Sequence, residues 1–451
     1  MRRLAIVVLA LGLHAAAAPC RAREEKTAHA SKDAAERVPL ARQRPPAQRL
    51  ALVGGTLHRV TSADMAGTLL LEGGRIAAIL PPGRAVPRGF RVVDVAGRHV
   101  YPGFVASAAD GLGLAPDAYA GGADAGLSHG IAESFDAWSD GVHLAASAGI
   151  TSAMVLRVPL EPHGPLAGRG ALMKMSWREP RGTELRDPAA VVAAPAAWTP
   201  AGRDQLRKIL AEARKGEAPE DAMGVKALLR ALGRGRIPLM ASPQSPGDVL
   251  AVVDLASDEK LPLIVSLSND AWSVSDELAR AHASAIQHVR NTWSTPRGDR
   301  RTEVTGGWRA DAATVLTRAG VPCSISTASD TIDLWGVAGR DLLDLPLEAA
   351  FAERGGLSAD EALAAITIVP ARLFGVEERI GSLEPGKDAD VVVMDGDALD
   401  YRSLVRETYV NGVLVYRADG DRYWKGIAQR RDAALSRGGR DARPDAPERA
   451  P

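Results

Sequence analysis

Apolar and polar positions follow two different periods along the chain. Short β-type runs bounded by turn residues fill residues 49–100, and similar runs return in residues 376–420. The glycine pairs at 54/55 and 73/74 and the dipeptide Asn411-Gly412 stand where hairpin turns need positive φ. The two strand-rich pieces are therefore predicted to form one small β-sandwich built from both ends of the chain.

The long middle of the chain, residues 101–375, alternates apolar runs of strand length with helical patterns. IPLMAS (237–242) and LPLIVSLS (261–268) each precede a helical pattern, and VPCSIST (321–327) precedes a longer helix-bearing stretch. Repeated strand and helix units predict a parallel sheet. The length of this region suits a (β/α)8 TIM-like barrel, which typically has about 250 residues. The predicted fold class is therefore α/β.

Two helices are predicted in this region from more local signals. Ser358 followed by Glu361 forms a capping box that opens a helix over residues 359–366. The run SDELARAHASAIQHV (275–289) has a helical pattern and contains His282 and His288. These histidines are about 240° apart around a helix, so they are not predicted to share a metal ion.

Both ends of the chain differ from the folded region. Residues 1–18 contain two arginines, an apolar stretch too short to span a bilayer and a small-x-small site, which predict a signal peptide and a periplasmic or secreted protein. Cys20 is a candidate lipid anchor, although the preceding proline fits lipoprotein processing poorly. Residues 21–48 and 426–451 are charged and proline-bearing, which predicts a disordered linker and a disordered tail.

Charge and composition narrow the classes of partner. Lys and Arg total 55 and Asp and Glu total 55, so the formal net charge is zero and no global field attracts nucleic acid or an anionic membrane. Phosphate-loop motifs and basic aromatic-rich stripes are absent from the sequence. Cys323 has neither a disulfide partner in the folded region nor a histidine base at a recognisable spacing, which favours a barrel strand of small residues over nucleophilic catalysis. The oligomeric state stays open.

The C-terminal motifs resemble a known family. Pro102-Gly103-Phe104 follows a strand, SADEALAAITIVPARLFG (358–375) precedes IGSLEPGKDADVVV (380–393), and Asn411-Gly412 follows. Together they resemble the amidohydrolase superfamily and, within it, the imidazolonepropionase-like branch. The resemblance covers most of residues 50–417. It implies a barrel enzyme that hydrolyses non-peptide carbon–nitrogen bonds with one or two divalent metal ions at the carboxyl ends of its strands.

The resemblance also implies where the metal ligands should stand, and this chain has other residues there. The family's aspartate and two histidines after strand 1 correspond to Ala106, Ala108 and Asp110. The later vestigial ligand positions are Ser242, Gln244, Leu267 and Ala328. Asp330 is a neighbour of Ala328 and becomes the candidate catalytic aspartate if the turn after strand 8 is shifted.

A few other residues are candidates for a rebuilt metal site. Asp110 is one, and Lys174 matches a lysine common in this branch, although a lysine at the core edge that bridges backbone carbonyls explains it equally well. Three histidines without metal-site spacing are predicted near the barrel mouth: His129, His143 and His163. Such histidines are more often surface or helix-capping groups than ligands.

Three functional hypotheses follow. The first is an exported amidohydrolase-fold pseudoenzyme that needs no cofactor and binds a small molecule at the barrel mouth or an active homologous subunit. The second is an active hydrolase of cyclic amides or dipeptide-like substrates, with zinc or another divalent metal held by Asp110, Lys174 and Asp330. Carboxylates and a lysine suit a hard cation better than zinc. The third is a structural or interaction protein of the cell envelope.

Overall fold

The structure is a computed structural model that describes most of the chain after residue 47. The described residues are 48–115, 125–128, 130–158, 164–215, 224–290, 309–327, 331–332, 341–421, 423–426, 429–430 and 432–433. The predicted signal peptide, nearly all of the predicted linker and most of the predicted tail lie outside these residues. None of the helices in the described ranges combines the length and apolar character that crossing a bilayer requires.

One eight-stranded sheet draws its strands from both ends of the chain, as the sequence predicts. Its strands are β1 (Arg49–Leu57), β2 (Met65–Glu72), β3 (Arg75–Leu80), β4 (Arg91–Asp94), β5 (His99–Pro102), β14 (Val391–Met394), β15 (Val405–Val410) and β16 (Val413–Arg417). The order is β16-β15-β14-β5-β1-β2-β3, with β4 also paired to β1. The two ends join where β14 pairs antiparallel with β5.

The turn signals of this sheet are confirmed at two of three places. Gly73 and Gly74 have positive φ between β2 and β3, and so do Asn411 and Gly412 between β15 and β16. Gly54 also has positive φ, but it lies inside β1 at a register shift against β2. The pair at 54/55 is therefore a β-bulge, and the hairpin prediction there was wrong.

The second sheet is an eight-stranded barrel that follows directly from the first. Its strands are β6 (Phe104–Asp110), β7 (Ile150–Arg157), β8 (Leu166–Lys174), β9 (Glu184–Ala193), β10 (Leu239–Ala241), β11 (Leu263–Ser266), β12 (Ser284–Gln287) and β13 (Cys323–Ile325). Neighbours in this order are paired, and every pair is parallel except those of β8 with β7 and β9. The predicted α/β barrel is confirmed.

The helices lie mainly between the later barrel strands. They are α1 (Ala125–Ser128), α2 (Asp140–Ser147), α3 (Pro200–Lys215), α4 (Val225–Gly233), α5 (Pro246–Glu259), α6 (Ser275–Arg280), α7 (Ala312–Arg318), α8 (Leu345–Arg354), α9 (Ala359–Ala364) and α10 (Ile368–Leu373). No helix lies between β7 and β9 in the described residues there, so the strand and helix alternation is regular only from β9 onward.

The capping box is confirmed, whereas the predicted helix over residues 275–289 is not. The Ser358 side chain accepts the Glu361 N–H, and the Glu361 carboxylate accepts the Ser358 N–H. Helix α6 ends at Arg280, and β12 follows four residues later, paired with β11 and β13. Pairing with two neighbouring strands outweighs the local helical pattern, because it completes the barrel.

Two apolar layers define the inside and the outside of the barrel. Along β10, β11 and β12, the residues Leu239, Leu263 and Ala285 belong to the layer that also contains helix residues such as Val252 of α5. The intervening residues belong to a second, interior cluster: Met240, Ile264 and Ile286. This alternation is the period-2 pattern of strands whose two faces are both buried.

Candidate functional site

The mouth of the barrel is the edge where its parallel strands end. Strand β6 ends at Asp110, β11 at Ser266, β12 at Gln287 and β13 at Ile325. In barrels of this kind the loops at this edge carry the chemistry, and the opposite edge contributes mainly to stability. Each candidate site residue predicted from the sequence can therefore be assessed by whether it lies at the mouth or at the opposite edge of the barrel.

The end of β6 presents an alanine and an aspartate. Ala108 is buried and belongs to the interior cluster, together with Met154 and Leu156 of β7. Asp110 pairs in register with Leu156, so it lies at the mouth on the interior face of β6. A methyl group has no lone pair, so the first expected histidine position supplies no ligand.

The two positions after β10 belong to a loop that leads into a helix. Ser242 and Gln244 are both exposed, and the Gln244 side-chain amide donates to the Ser242 carbonyl at 3.0 Å. The next residue, Ser245, caps α5 by accepting the Asp248 N–H. The segment that should carry histidines is thus organised as a helix cap.

The position after β11 is apolar. Leu267 is partly buried against the interior cluster, and its N–H donates to the Ile286 carbonyl at 2.7 Å. Its φ of 52° lies in the left-handed region, which is uncommon for a residue with a branched side chain. The structure therefore places a hydrocarbon side chain where the family resemblance implies a metal ligand.

Several sequence candidates lie outside the described residues. They are Ala328, Asp330, His129 and His163. The register after strand 8 therefore stays a prediction.

Lys174 lies at the opposite end of the barrel from Asp110. Strand β8 runs antiparallel to β7, and Lys174 pairs with Ser152 near the start of β7, whereas Asp110 pairs with Leu156 near its end. Four residues of strand correspond to about 13 Å. The structure therefore does not bring the two candidate ligands together.

The ammonium group of Lys174 instead joins the barrel to the sheet built from both ends of the chain. It is fully buried and donates to Asp388 at 2.7 Å and to Asp390 at 3.3 Å. The Asn411 side-chain oxygen accepts a further hydrogen bond. The sequence interpretation of a core-edge lysine fits this arrangement, although its partners are side chains and not backbone carbonyls.

His143 is buried on α2 and lies against the segment that follows β8, at the end of the barrel that holds Lys174. Its Nε2 lies 2.6 Å from the Asp421 carboxylate, and its ring contacts the Trp177 ring at a centroid distance of 4.0 Å. Asp421 also accepts the backbone N–H of Trp424. His143 therefore fastens the C-terminal segment to α2 and does not border the mouth.

His288 is a mouth residue that the sequence interpretation placed on the wrong element. It follows β12 directly, is 5% exposed, and has no hydrogen-bond partner for either ring nitrogen within the described part of the chain. Burial lowers its pKa from the ordinary histidine value. An eight-stranded barrel needs a strand between residues 268 and 321. This requirement could have identified the strand at 284–287 and placed His288 at its end.

A buried ion pair fixes the backbone that follows His288. The Glu348 carboxylate on α8 accepts the N–H groups of Val289 and Arg290, and it also accepts the Arg290 guanidinium at 2.5 Å. Glu348 is fully buried. Because these bonds hold the two residues after His288, the histidine is carried on a defined segment and not on a free loop.

The remaining reactive candidate, Cys323, is unsuited to nucleophilic chemistry. It is buried in β13, and burial raises its thiol pKa to about 12. The thiol is therefore protonated near neutral pH, and the thiolate is the nucleophilic form. This agrees with a strand of small residues.

The donor set at the mouth does not fit a zinc site in the part of the chain that the structure describes. No group of three or more His, Cys, Asp or Glu side chains there is placed to hold a metal ion. Zinc sites in proteins use thiolate, imidazole and carboxylate ligands. Alanine, leucine and serine occupy the corresponding places here.

A cavity of about 240 Å³ lies elsewhere, between the outer barrel layer and the sheet built from both ends of the chain. Its walls include Leu347 of α8, Met394 of β14, Tyr416 of β16 and Trp424. It contains none of the mouth residues described above. The cavity is therefore separate from the barrel interior.

Comparison with known proteins relates part of the chain to a family. A family model described as the amidohydrolase family matches residues 301–418. An amidohydrolase structure from Thermotoga maritima MSB8 superposes with a TM-score of 0.64 at 23% identity, covering 82% of this chain and 100% of that one. This likeness shows the shared fold.

Curated relatives match over short segments. A Bos taurus N-acetylglucosamine-6-phosphate deacetylase is 44% identical over 69 residues, which is 15% of this chain and 16% of the relative. An N-acyl-D-glutamate deacylase from Alcaligenes xylosoxydans xylosoxydans is 28% identical over 194 residues, 34% of this chain and 38% of the relative. An imidazolonepropionase from Picrophilus torridus is 37% identical over 67 residues, 13% and 16% of the two chains. The chain therefore spans well under half of the length of each of these relatives.

The imidazolonepropionase is one distant relative among several, so the assignment to its branch stays a prediction. The family match covers residues 301–418, and the Thermotoga maritima structure shares the barrel fold, so the chain is similar to amidohydrolases in its C-terminal part and in its fold.

Proposed function

We propose that this chain is an exported, non-hydrolytic member of the amidohydrolase superfamily that binds a small molecule at the barrel mouth without a metal ion. The observation that carries the proposal is the placement of Ala108 and Leu267 against the apolar interior cluster. These are two of the positions at which the family resemblance implies metal-binding histidines.

The physical argument is that the interior is packed for hydrocarbon. Ala108, Met240 and Ile264 meet in one buried cluster from three different strands. A hydrated divalent ion placed among such side chains would lose hydration without gaining ligands, which is strongly unfavourable. A ligand with apolar surface would gain from the same environment.

An active hydrolase with an atypical metal site is the alternative. The relatives named as a deacetylase and a deacylase support it, since both names describe cleavage of acyl groups from nitrogen. In this version Asp110 at the mouth, with Asp330, would hold zinc or a harder divalent ion, and Lys174 would take no part because it lies at the other end of the barrel. Cyclic amides or dipeptide-like molecules would be the substrates.

The experiment that separates the two is a hydrolysis assay with added Zn²⁺ or Mn²⁺. Purified protein would be incubated with N-acetyl amino sugars, N-acyl amino acids, formamides and cyclic amides, and the release of amine or acid measured. We expect no turnover above buffer. Turnover that is lost in Asp110→Ala but kept in Asp254→Ala, an exposed aspartate on α5, would establish the alternative.

Export is proposed from the N-terminal pattern alone. The arginines, apolar stretch and small-residue site within residues 1–18 are typical of a signal peptide. Fractionation of cells that produce the full chain should recover it shortened and outside the cytoplasm. Full-length protein confined to the cytoplasm would contradict export without bearing on the barrel mouth.

A further inference from the structure

Three buried side chains at the mouth carry polar atoms without partners. Both ring nitrogens of His288, the Ser326 hydroxyl and the Asn269 side-chain oxygen have no hydrogen-bond partner in the described ranges. Their exposures are 5%, 0% and 8%. An unsatisfied buried polar group costs about 1–3 kcal/mol, so such groups in one place call for an explanation.

The three residues come from neighbouring strand ends. Asn269 follows β11, His288 follows β12 and Ser326 follows β13, and these strands are adjacent and parallel. Parallel strands end at the same edge of a sheet, so all three lie at the mouth. The clustering is therefore a consequence of barrel topology.

Strand register brings His288 and Ser326 side by side. Gln287 pairs with Ile325, and the Ser326 N–H donates to the Gln287 carbonyl at 2.9 Å, so the ladder extends to this level. Two residues before His288 and Ser326, Ile286 and Ser324 are in register with each other, and Ile286 belongs to the interior cluster. Because side chains two residues apart share a face, His288 and Ser326 are on the interior face as well.

Hydrocarbon lies next to this polar group. Leu267 follows β11 and packs on the interior cluster, and Ala108 and Leu156 belong to that cluster from β6 and β7, with β6 next to β13. A bound molecule would therefore meet hydrogen-bonding groups and hydrocarbon side by side.

We propose that the mouth binds an uncharged molecule with an apolar body and one hydrogen-bonding edge of the amide kind, which His288, Ser326 and Asn269 recognise. This inference rests on the proposed function, because it assumes that a ligand and not a metal ion occupies the mouth. An amide edge has both a donor and an acceptor. It therefore matches a neutral imidazole, which has one of each, a hydroxyl, and the acceptor oxygen of asparagine.

The test uses three probes of one shape: benzamide, benzoate and benzylamine. Calorimetric titration of the full protein should show binding of benzamide at least about tenfold tighter than that of the other two, which corresponds to roughly one hydrogen bond of difference. Equal affinities for the three probes, tighter binding of a charged probe, or no binding of benzamide would overturn the inference.

Variants connect the binding to the named residues. His288→Leu removes both nitrogens, and Ser326→Ala removes one hydroxyl with little change of volume. Each should weaken benzamide binding by about tenfold or more while circular dichroism stays unchanged. His282→Asn is the matched control, because His282 has a φ of 52° in the turn after α6 and asparagine tolerates this conformation.

If His288→Leu does not fold, benzamide binding by Ser326→Ala and NMR of the histidine ring signals test the inference instead. Benzamide should shift the His288 ring signals of the unmodified protein, and these signals are assigned by their loss in the more conservative His288→Asn. Unchanged binding in Ser326→Ala together with unshifted His288 signals would overturn the inference.

The two proposals fail in different ways. Release of benzoate from benzamide, or binding that disappears on removal of metal with a chelator, would contradict the non-hydrolytic, metal-free function. If the protein holds no metal, shows no hydrolysis and binds the probes equally well in the His288 and Ser326 variants, only the recognition site is rejected. The proposed non-hydrolytic function is then unaffected.

Discussion

Lys174 shows how one buried charge can connect two distant parts of the sequence. Its ammonium group bonds to Asp388 and Asp390, which belong to the motif at residues 386–390. Burial alone would raise the pKa of Asp388, but Lys174 and Arg379 outweigh burial and hold that pKa below its ordinary value. At Asp390 burial dominates, and the pKa is raised. The motif therefore has a structural role.

Replacement of Lys174 should be strongly destabilising. Lys174→Ala leaves the buried Asp390 carboxylate without its cation and leaves Asp388 with Arg379, and breaking a buried pair in this way costs about 3–5 kcal/mol. Urea unfolding would measure the change, with Lys208→Ala, an exposed position on α3, as the control. A loss below about 0.5 kcal/mol, the size expected of an ordinary surface substitution, would contradict the structural role.

His288 also predicts a pH dependence of stability. Burial lowers its pKa in the folded state, so below the ordinary value near 6.5 the unfolded chain binds more protons and stability falls as pH falls. His99 acts in the same direction, through burial and the nearby His58. Between pH 7.5 and 5, His288→Asn should therefore lose less thermal stability than the unmodified protein.

The measurement is the melting temperature as a function of pH for both proteins. His282→Asn should retain the unmodified pH dependence. Parallel curves for His288→Asn and the unmodified protein would mean that His288 titrates normally in the folded state.

At the scale of elements, a short segment closes the barrel. The Val105 N–H on β6 donates to the Ile366 carbonyl, and the Ile325 N–H on β13 donates to the Ala365 carbonyl. The segment that contains Ala365 and Ile366 follows α9, whose start is fixed by Ser358. The capping box therefore helps to position the seam between the first and the last barrel strand.

Removal of this cap should have a modest, measurable cost. Ser358→Ala should lower the free energy of unfolding by about 1 kcal/mol, because the Glu361 N–H at the start of α9 loses its side-chain acceptor. Chemical denaturation would measure it, with Ser62→Ala at an exposed loop position as the control. Equal stability of the two variants would show that the cap contributes nothing here.

Elements with strong local signals could be predicted from the sequence, and those that depend on pairing could not. The capping box and the Asn411-Gly412 turn are specified by a few adjacent residues. The strand at 284–287 is short, and its preceding residues favour helix, so only its partners β11 and β13 decide its conformation. The antiparallel β8 likewise depends on its neighbours and has no distinguishing local pattern.

At the scale of the whole molecule, the architecture could be predicted from the sequence, whereas the residues at the barrel mouth could be predicted only in part. The order of strand-rich and alternating regions predicted the barrel and the sheet built from both ends of the chain. Ala108 and Leu267 could be placed near the mouth because they stand at fixed places in the motif pattern, whereas their interpretation as lost ligand positions stays a prediction. The group around His288 could not, because it forms only when three strands end together.

The central claim is that the barrel mouth has lost metal binding. The most direct test is elemental mass spectrometry of the purified protein, before and after incubation with Zn²⁺ and Mn²⁺ and removal of free metal. We predict less than about 0.1 equivalent of metal under every condition, because alanine and leucine stand where the family resemblance implies imidazole ligands. Retention of about one or two equivalents, lost in Asp110→Ala, would show an intact metal centre and contradict the account.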